Sequence, residues 1–270
     1  MYIHYHHGLD QPSVKLRNNS YIHFMEKEKS TQDKYPEANK PIIIGCLVFE
    51  RVDQIDFTGP FEVLSRLPNV VIHVIGKATQ PVRDVNGLII TPEMAIADAP
   101  ALDLLHVPGG LGEYDARKDE EILSFIRDQF NSGRYIFSVC TGALLCGAAG
   151  ILNGMKATTY WATWDLLPYY GAIPVKQRVV QDKNLISCAG VTAGIDGALE
   201  VAAILCGTQV AERIQLQIEY APEPRFHSGT PEQASAPVLE AFFEKYGDTK
   251  NYRENAAREY AARNGINMKG

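Results

Sequence analysis

No stretch of the 270-residue chain is apolar for anything near the roughly 18 residues that cross a bilayer. The N-terminus lacks the charged-then-apolar order of a secretory signal. Basic residues are not in excess either. There are 26 Lys and Arg against 32 Asp and Glu, a formal charge of −6. Without a basic stripe nothing is arranged to neutralise a phosphate backbone, so nucleic acid is not an expected partner. The five cysteines are an odd number without metal-ligand spacing, which points to free thiols in a reducing compartment. Together these absences lead to the expectation of a soluble, cytoplasmic protein that binds neither membrane nor nucleic acid. What is present is 46% hydrophobic residues over a length that suits one large α/β domain with appendages.

Residues 1–40 are expected to form a flexible extension. His4, His6 and His7 lie there without a companion carboxylate or Cys pattern, so no metal site is expected. Ile42 to Phe49 is a continuous apolar run, as in a parallel strand buried on both faces. Asp53 to Pro60 turns the chain into a helix, and Val70 to Ile75 is a second strand. Val82 to Met94 reads as a hairpin turning at Asn86-Gly87. Leu102 to Val107 is a strand that runs into Pro108-Gly109-Gly110, and Glu120 to Phe130 has helical spacing. Further on come a short strand at Lys156 to Tyr160, a helix at Trp161 to Leu167, and two strands around Asp182-Lys183-Asn184. A long helix is expected from Thr192 to Glu219, with Gly207 as its one interruption. Past a Pro-rich covering loop, Val238 to Tyr246 reads as one amphipathic helix and Tyr252 to Arg263 as a further exposed one. Residues 41–247 are therefore expected to be the catalytic domain and 248–270 a short helical extension. Strands alternating with helices imply a mostly parallel sheet covered on both faces, with sites at the carboxyl ends of its strands. Asp56, Gly109-Gly110 and Cys140 each follow a strand and could share one crevice.

The chain is organised around Tyr135 to Gly150, which opens as a buried strand and continues as small residues mixed with leucines. Cys140 sits between the two, on a sharp strand-to-helix turn of the nucleophile-elbow kind. Such a turn lifts the side chain clear of the sheet. The free N–H groups and dipole of the new helix would favour thiolate. The bland alternative is a buried cysteine acting as a small hydrophobe. For Asp56 the alternative to chemistry is a helix N-cap, for which Asp is well suited.

Cys140-Thr-Gly-Ala, Pro108-Gly-Gly and Gly190-Val-Thr-Ala-Gly-Ile-Asp196 together resemble the ThiJ/PfpI superfamily of class I glutaminase-like folds, and more particularly its isonitrile hydratases. Four segments carry that likeness: Asp53 to Pro60, Ser138 to Ala143, Ala157-Thr-Thr-Tyr-Trp161, and Ile218 to Phe226 with Gly229 and Pro231. The resemblance implies a flavodoxin-like three-layer sandwich and a homodimer. It implies a cofactor-independent lyase that adds water to an isocyanide through a Cys thioimidate, giving an N-substituted formamide. Its catalytic residues would be Cys140, Asp56 as the acid/base carboxyl and Thr141 as a supporting hydroxyl. Gly110 and Leu111 would offer backbone N–H groups to developing negative charge, and Tyr160 and Trp161 would wall the pocket. Each has a plain alternative: a helix first turn for Thr141, a tight turn for Gly110, core aromatics for Tyr160 and Trp161. Two positions depart from relatives. Peptidase-like members carry His directly after the nucleophile where Thr141 stands, and many relatives have His in place of Tyr160, so no ordinary Cys–His dyad is expected.

His106, on the strand before the Gly pair, reads as a core histidine, and Cys46, Cys146, Cys188 and Cys206 read as packing. Asp196 and Glu200 are expected to serve packing or dimer contacts. Two other readings stay open. One is a glyoxalase- or deglycase-like enzyme, which would want Glu and His near the sulfur. The other is a ligand- or redox-sensing protein without turnover. The stretch after Ala221 is too short for the helix-turn-helix pair that follows a similar front domain in certain transcription regulators.

Overall fold

The structure is a computed structural model that describes residues 40–266. The extension expected over residues 1–40, with its three histidines, lies outside the described residues apart from Lys40. From Pro41 the chain forms one compact unit.

The sheet grows from β1 (Ile42–Val48), whose apolar run is buried because strands flank it on both sides. It pairs in parallel with β2 (Val70–Gly76) and with β6 (Leu104–Val107). The strand β6 in turn pairs with β7 (Tyr135–Val139), and β7 with β11 (Leu185–Cys188), again in parallel. The far edge is β10 (Val179–Asp182), antiparallel to β11 across the expected polar turn, where Lys183 takes a positive φ. Between β2 and β6 lie β3 (Val82–Arg83), β4 (Ile89–Ile90) and β5 (Met94–Ala95), and between β7 and β10 the separate parallel pair β8 (Lys156–Ala157) and β9 (Ile173–Pro174). The pair β3 and β4 forms the hairpin predicted at Asn86-Gly87, but β5 leaves it and joins the main sheet beside β2. Strand order is β10-β11-β7-β6-β1-β2-β5, a mostly parallel sheet with helices packed on it, as in a flavodoxin-like sandwich.

Helix α1 (Gln54–Leu64) packs against the long helix α5 (Ala193–Cys206). Glycine makes that close approach possible, since a Cβ at Gly194 would lie 3.0 Å from the Pro60 ring and one at Gly59 3.1 Å from the Ile195 side chain. Elsewhere α3 (Glu120–Asn131), which follows the one-turn α2 (Glu113–Ala116), packs on β7 and on α4 (Gly142–Ala148), the helix of the elbow. No described helix is long and apolar enough to cross a membrane.

Three expectations need correction. The single helix from Thr192 to Glu219 is two, because Gly207 (φ 89°) breaks it and α6 (Thr208–Gln217) starts afresh. The helix at Trp161 is a 3-10 helix that runs on to Tyr170, ending at left-handed Gly171. The two helices expected after residue 237 are one continuous α7 (Ala236–Arg263) that crosses the expected 247/248 boundary. Its second half is not merely exposed: Arg253, Ala257 and Ala261 are buried. Helix α7 lies along the 3-10 helix, with the Tyr260 ring 4.9 Å from that of Tyr170. The Pro-rich loop before it, from Tyr220 to Ser235, is irregular and largely exposed.

Candidate active site

Four strands of the sheet, β1, β6, β7 and β11, end on the same side, and the residues just beyond them meet there. Cys140 follows Val139 of β7 directly and takes a left-handed φ of 56°, a strained conformation for a residue with a Cβ. Its N–H donates to the carbonyls of Cys188 and Ala189, and its own carbonyl accepts from the Thr159 hydroxyl at 2.8 Å. The turn is tight enough that a Cβ at Gly142 would sit 2.2 Å from the Val107 carbonyl oxygen. The small-residue pattern after Cys140 therefore reflects helix pressed against strand.

The Cys140 side chain is 7% exposed, and it lines a cavity of about 630 Å³. The cavity walls include Leu111, Thr141, Tyr160, Val191, Phe242, Phe243 and Arg253. Cys140 is thus a nearly buried residue of the cavity wall.

Asp56 lies on α1 and is fully buried. It is not the helix cap: Asp53 takes that role, its side chain accepting from the Ile55 N–H at 3.1 Å. The Oδ2 atom of Asp56 accepts from the Gly109 N–H at 3.1 Å. Its Oδ1 has no hydrogen bond within the described residues, and the Cys140 thiol interacts with the carboxyl. Burial, followed by the nearby Asp53 charge, pushes the Asp56 carboxyl up to about 8. The Cys140 thiol is raised well above its ordinary value, first by burial and then by the Asp56 charge. Backbone N–H groups of Val191 and Thr141 and the charge of Arg253 act the other way but are outweighed. The helix N–H groups thus favour thiolate as expected, and desolvation exceeds their effect. At neutral pH both groups hold their protons.

Thr141 and Gly110 clasp each other: the Gly110 N–H donates to Thr141 Oγ1 at 3.0 Å, and that hydroxyl lies 3.2 Å from the Gly110 carbonyl. The Gly110 N–H is consequently already engaged, contrary to the expectation that it would serve negative charge in the pocket. Leu111 lines the cavity and follows the Val52–Gly110 bridge that ties this loop to the turn after β1. Gly109 must be glycine, since a Cβ there would lie 2.6 Å from the Thr141 nitrogen and 2.9 Å from Asp56 Oδ2.

Tyr160 lines the cavity, half-buried, and burial pushes its hydroxyl up to about 12. A Cβ at Gly190 would collide with its ring at 2.6 Å. Trp161 does not line the cavity. It stands behind the lining, its ring 4.7 Å from Phe242 and 5.8 Å from Phe243. His106 is fully buried between the rings of Phe57 and Phe137, and burial lowers it to about 3, so it stays neutral. No histidine among the described residues lines the cavity. Cys46, Cys146 and Cys188 are buried in packing, and Asp196 ion-pairs with Arg178 and accepts from Tyr220.

Sequence reasoning missed the part α7 plays. Phe242, Phe243, Tyr246 and Arg253 all come from it and reach the cavity. Arg253 is buried, its Nε 2.9 Å from Glu113 Oε2 and its Nη2 3.0 Å from the Gly110 carbonyl. Glu113 is fully buried and also pairs with Arg117 at 2.7 Å. Val191 was missed too; its φ of 43° is unusual for a β-branched residue.

With that geometry established, comparison with known proteins places the chain. The sequence pattern of the DJ-1/PfpI family matches residues 43–204. The chain belongs to that family. It is 46% identical over 220 residues to the isonitrile hydratase of Pseudomonas putida, covering 82% of this chain and 96% of that one. The crystal structure of a ThiJ/PfpI family protein from Pseudomonas syringae superposes with a TM-score of 0.78 at 38% identity, over 80% of this chain and 90% of that one. The HTH-type transcriptional regulator GbdR of Pseudomonas aeruginosa is 26% identical over 71% of this chain but only 57% of its own.

Proposed function

We propose that the protein is an isonitrile hydratase, adding water to an isocyanide to give an N-substituted formamide. The observation that carries this reading is the meeting of the Cys140 thiol with the raised carboxyl of Asp56 at an aromatic-lined cavity. It is supported by the 46% identity to a hydratase over most of both chains.

The terminal carbon of an isonitrile accepts a nucleophile and keeps a lone pair that needs a proton. In the reactive state the Cys140–Asp56 pair has lost one of its two protons. The sulfur attacks the terminal carbon, and a C–N π bond opens. The thiol proton passes to Asp56 and from there to the carbon lone pair. The product is a thioimidate, Cys140–S–CH=N–R. Asp56, ionised again, takes a proton from water as the water oxygen adds to the same carbon. The tetrahedral adduct then collapses. Asp56 passes the proton it took from water to the nitrogen and takes the adduct's hydroxyl proton as the C–S bond breaks, so R–NH–CHO leaves and the pair again holds one proton. Every atom is supplied by isonitrile, water and the two side chains. In this scheme Thr141 acts by holding Gly110, whose neighbour Gly109 orients Asp56. The reading also includes a homodimer.

The test is turnover: incubation with cyclohexyl isocyanide should release N-cyclohexylformamide. No formamide from well-folded protein contradicts the proposal.

A further inference from the structure

We propose that Arg253, delivered by the C-terminal helix, is a positioning residue that holds the Gly109-Gly110 loop against the Cys140–Asp56 pair. This deepens the hydratase reading, but its geometry does not depend on it.

Arg253 and Thr141 both hold the loop at Gly110. The Arg253 Nη2 donates to the Gly110 carbonyl while Thr141 Oγ1 accepts from the Gly110 N–H. Gly110 itself has a φ of 125° and would bring a Cβ within 2.4 Å of the Asp53 nitrogen, so the loop has little room to adopt another path. One residue earlier, the Gly109 N–H is the backbone donor to Asp56. Loosening Gly110 therefore loosens the bond that orients the carboxyl. Arg253 is fixed in turn by the fully buried Glu113, so its side chain does not need to find its place on binding. A forked guanidinium can serve Glu113 and Gly110 together, which an ammonium cannot.

The charged and titratable groups that share this corner are few. Glu113 and Arg117 approach from α2 and the turn after it, and Asp53 and Asp56 from the start of α1. Cys140 and Tyr160 face it across the cavity, with Tyr246, Lys245 and Lys250 on α7 itself. Arg253 is the cation that lowers the proton affinity of both Asp56 and Cys140. It thus opposes the raising effect of burial at both members of the pair.

The test compares the full-length protein with Arg253→Met and Arg253→Lys. The readout is the pH dependence of Cys140 alkylation by iodoacetamide, followed on the Cys140 peptide by mass spectrometry. Arg253→Met should shift the alkylation midpoint upward and slow alkylation by about two- to threefold below it. Arg253→Lys keeps the charge but not the fork, so a smaller upward shift is expected, with kcat for cyclohexyl isocyanide reduced more than KM. A merely structural role would lower thermal stability and leave the midpoint in place. A folded Arg253→Met with the wild-type profile overturns the proposal. Should that variant not fold, Arg253→Lys decides, and an unchanged profile with unchanged kcat overturns it. Alkylation is read without isonitrile. A shifted midpoint in a protein that hydrates nothing would overturn the hydratase reading and leave this inference standing.

Discussion

The carboxyl of Asp56 interacts with the thiol of Cys140, while its Oδ2 accepts from the Gly109 N–H. Burial raises the proton affinity of both groups, and the Asp56 charge raises that of the thiol further. The pair therefore rests with two protons near neutrality, and the reactive form is the one that has lost a proton.

Activity should accordingly depend on pH. With the first ionisation of the pair near 8, kcat/KM for cyclohexyl isocyanide should rise through a midpoint near that value. Below it the slope of log(kcat/KM) against pH should approach one. A profile flat from pH 6 to pH 9 would show that this ionisation does not govern the reaction.

Stability should move in the opposite sense. Asp56 has an ordinary value of 3.8 and a folded value of about 8, so between them the folded state binds the extra proton. Its contribution is fully present below about 4 and is lost as pH rises to about 8, at up to about 1.4 kcal/mol per pH unit. Asp56→Asn removes that ionisation. Denaturant unfolding of the variant should show its stability gaining on the wild type as pH is raised from 4 to 8, while hydration is lost. A wild-type-like pH dependence in the variant would mean that the carboxyl titrates normally.

Most of the layer order was legible in the chain, because it rests on patterns that local physics enforces. The apolar run at Ile42 and the Gly-rich elbow at Cys140 each became the expected element. The turn signals at Asn86-Gly87 and Asp182-Lys183-Asn184 did so too. Asp56, Gly109-Gly110 and Cys140 could be brought together because each follows a strand at the same end of the sheet, whereas Thr141 entered only through the family resemblance. Arg253 was not. It sits among Asn251, Glu254 and Arg258, where a solvated helix face is the natural reading, and its burial comes from a partner, Glu113, 140 residues away. The balance at the thiol was hidden for a related reason: a helix N-terminus is visible in sequence, and the desolvation that outweighs it is not. Gly110 looked like a free backbone donor because its bond to Thr141 is tertiary. Trp161 looked like a pocket wall because the residues that cover it, Phe242 and Phe243, come from a helix far along the chain.

Gly109→Ala tests the loop directly. Its new methyl would have to displace the Thr141 backbone or the Asp56 carboxyl. A loss of about 1–3 kcal/mol of stability is expected from the strain. Hydration should fall by at least about a hundredfold as the acid/base group is displaced. A folded Gly109→Ala with wild-type kcat would show that the Asp56 orientation is unimportant.

Phe242→Ala and Phe243→Ala remove aromatic lining from a cavity that must accept an apolar R group. Steady-state kinetics with cyclohexyl isocyanide should show KM raised about tenfold or more, from lost burial of about 1.5–3 kcal/mol. The kcat value should be little changed, since neither ring touches the reacting carbon. A change confined to kcat would place these rings in the chemistry instead.

The covalent step is the centre of the account. Protein mixed with cyclohexyl isocyanide and quenched in acid during turnover should carry one added isocyanide, with the label mapping to Cys140 by peptide mass spectrometry. Cys140→Ser should carry none and release no formamide. Formamide production at the wild-type rate by Cys140→Ser, or turnover with the label on any other residue, would contradict it.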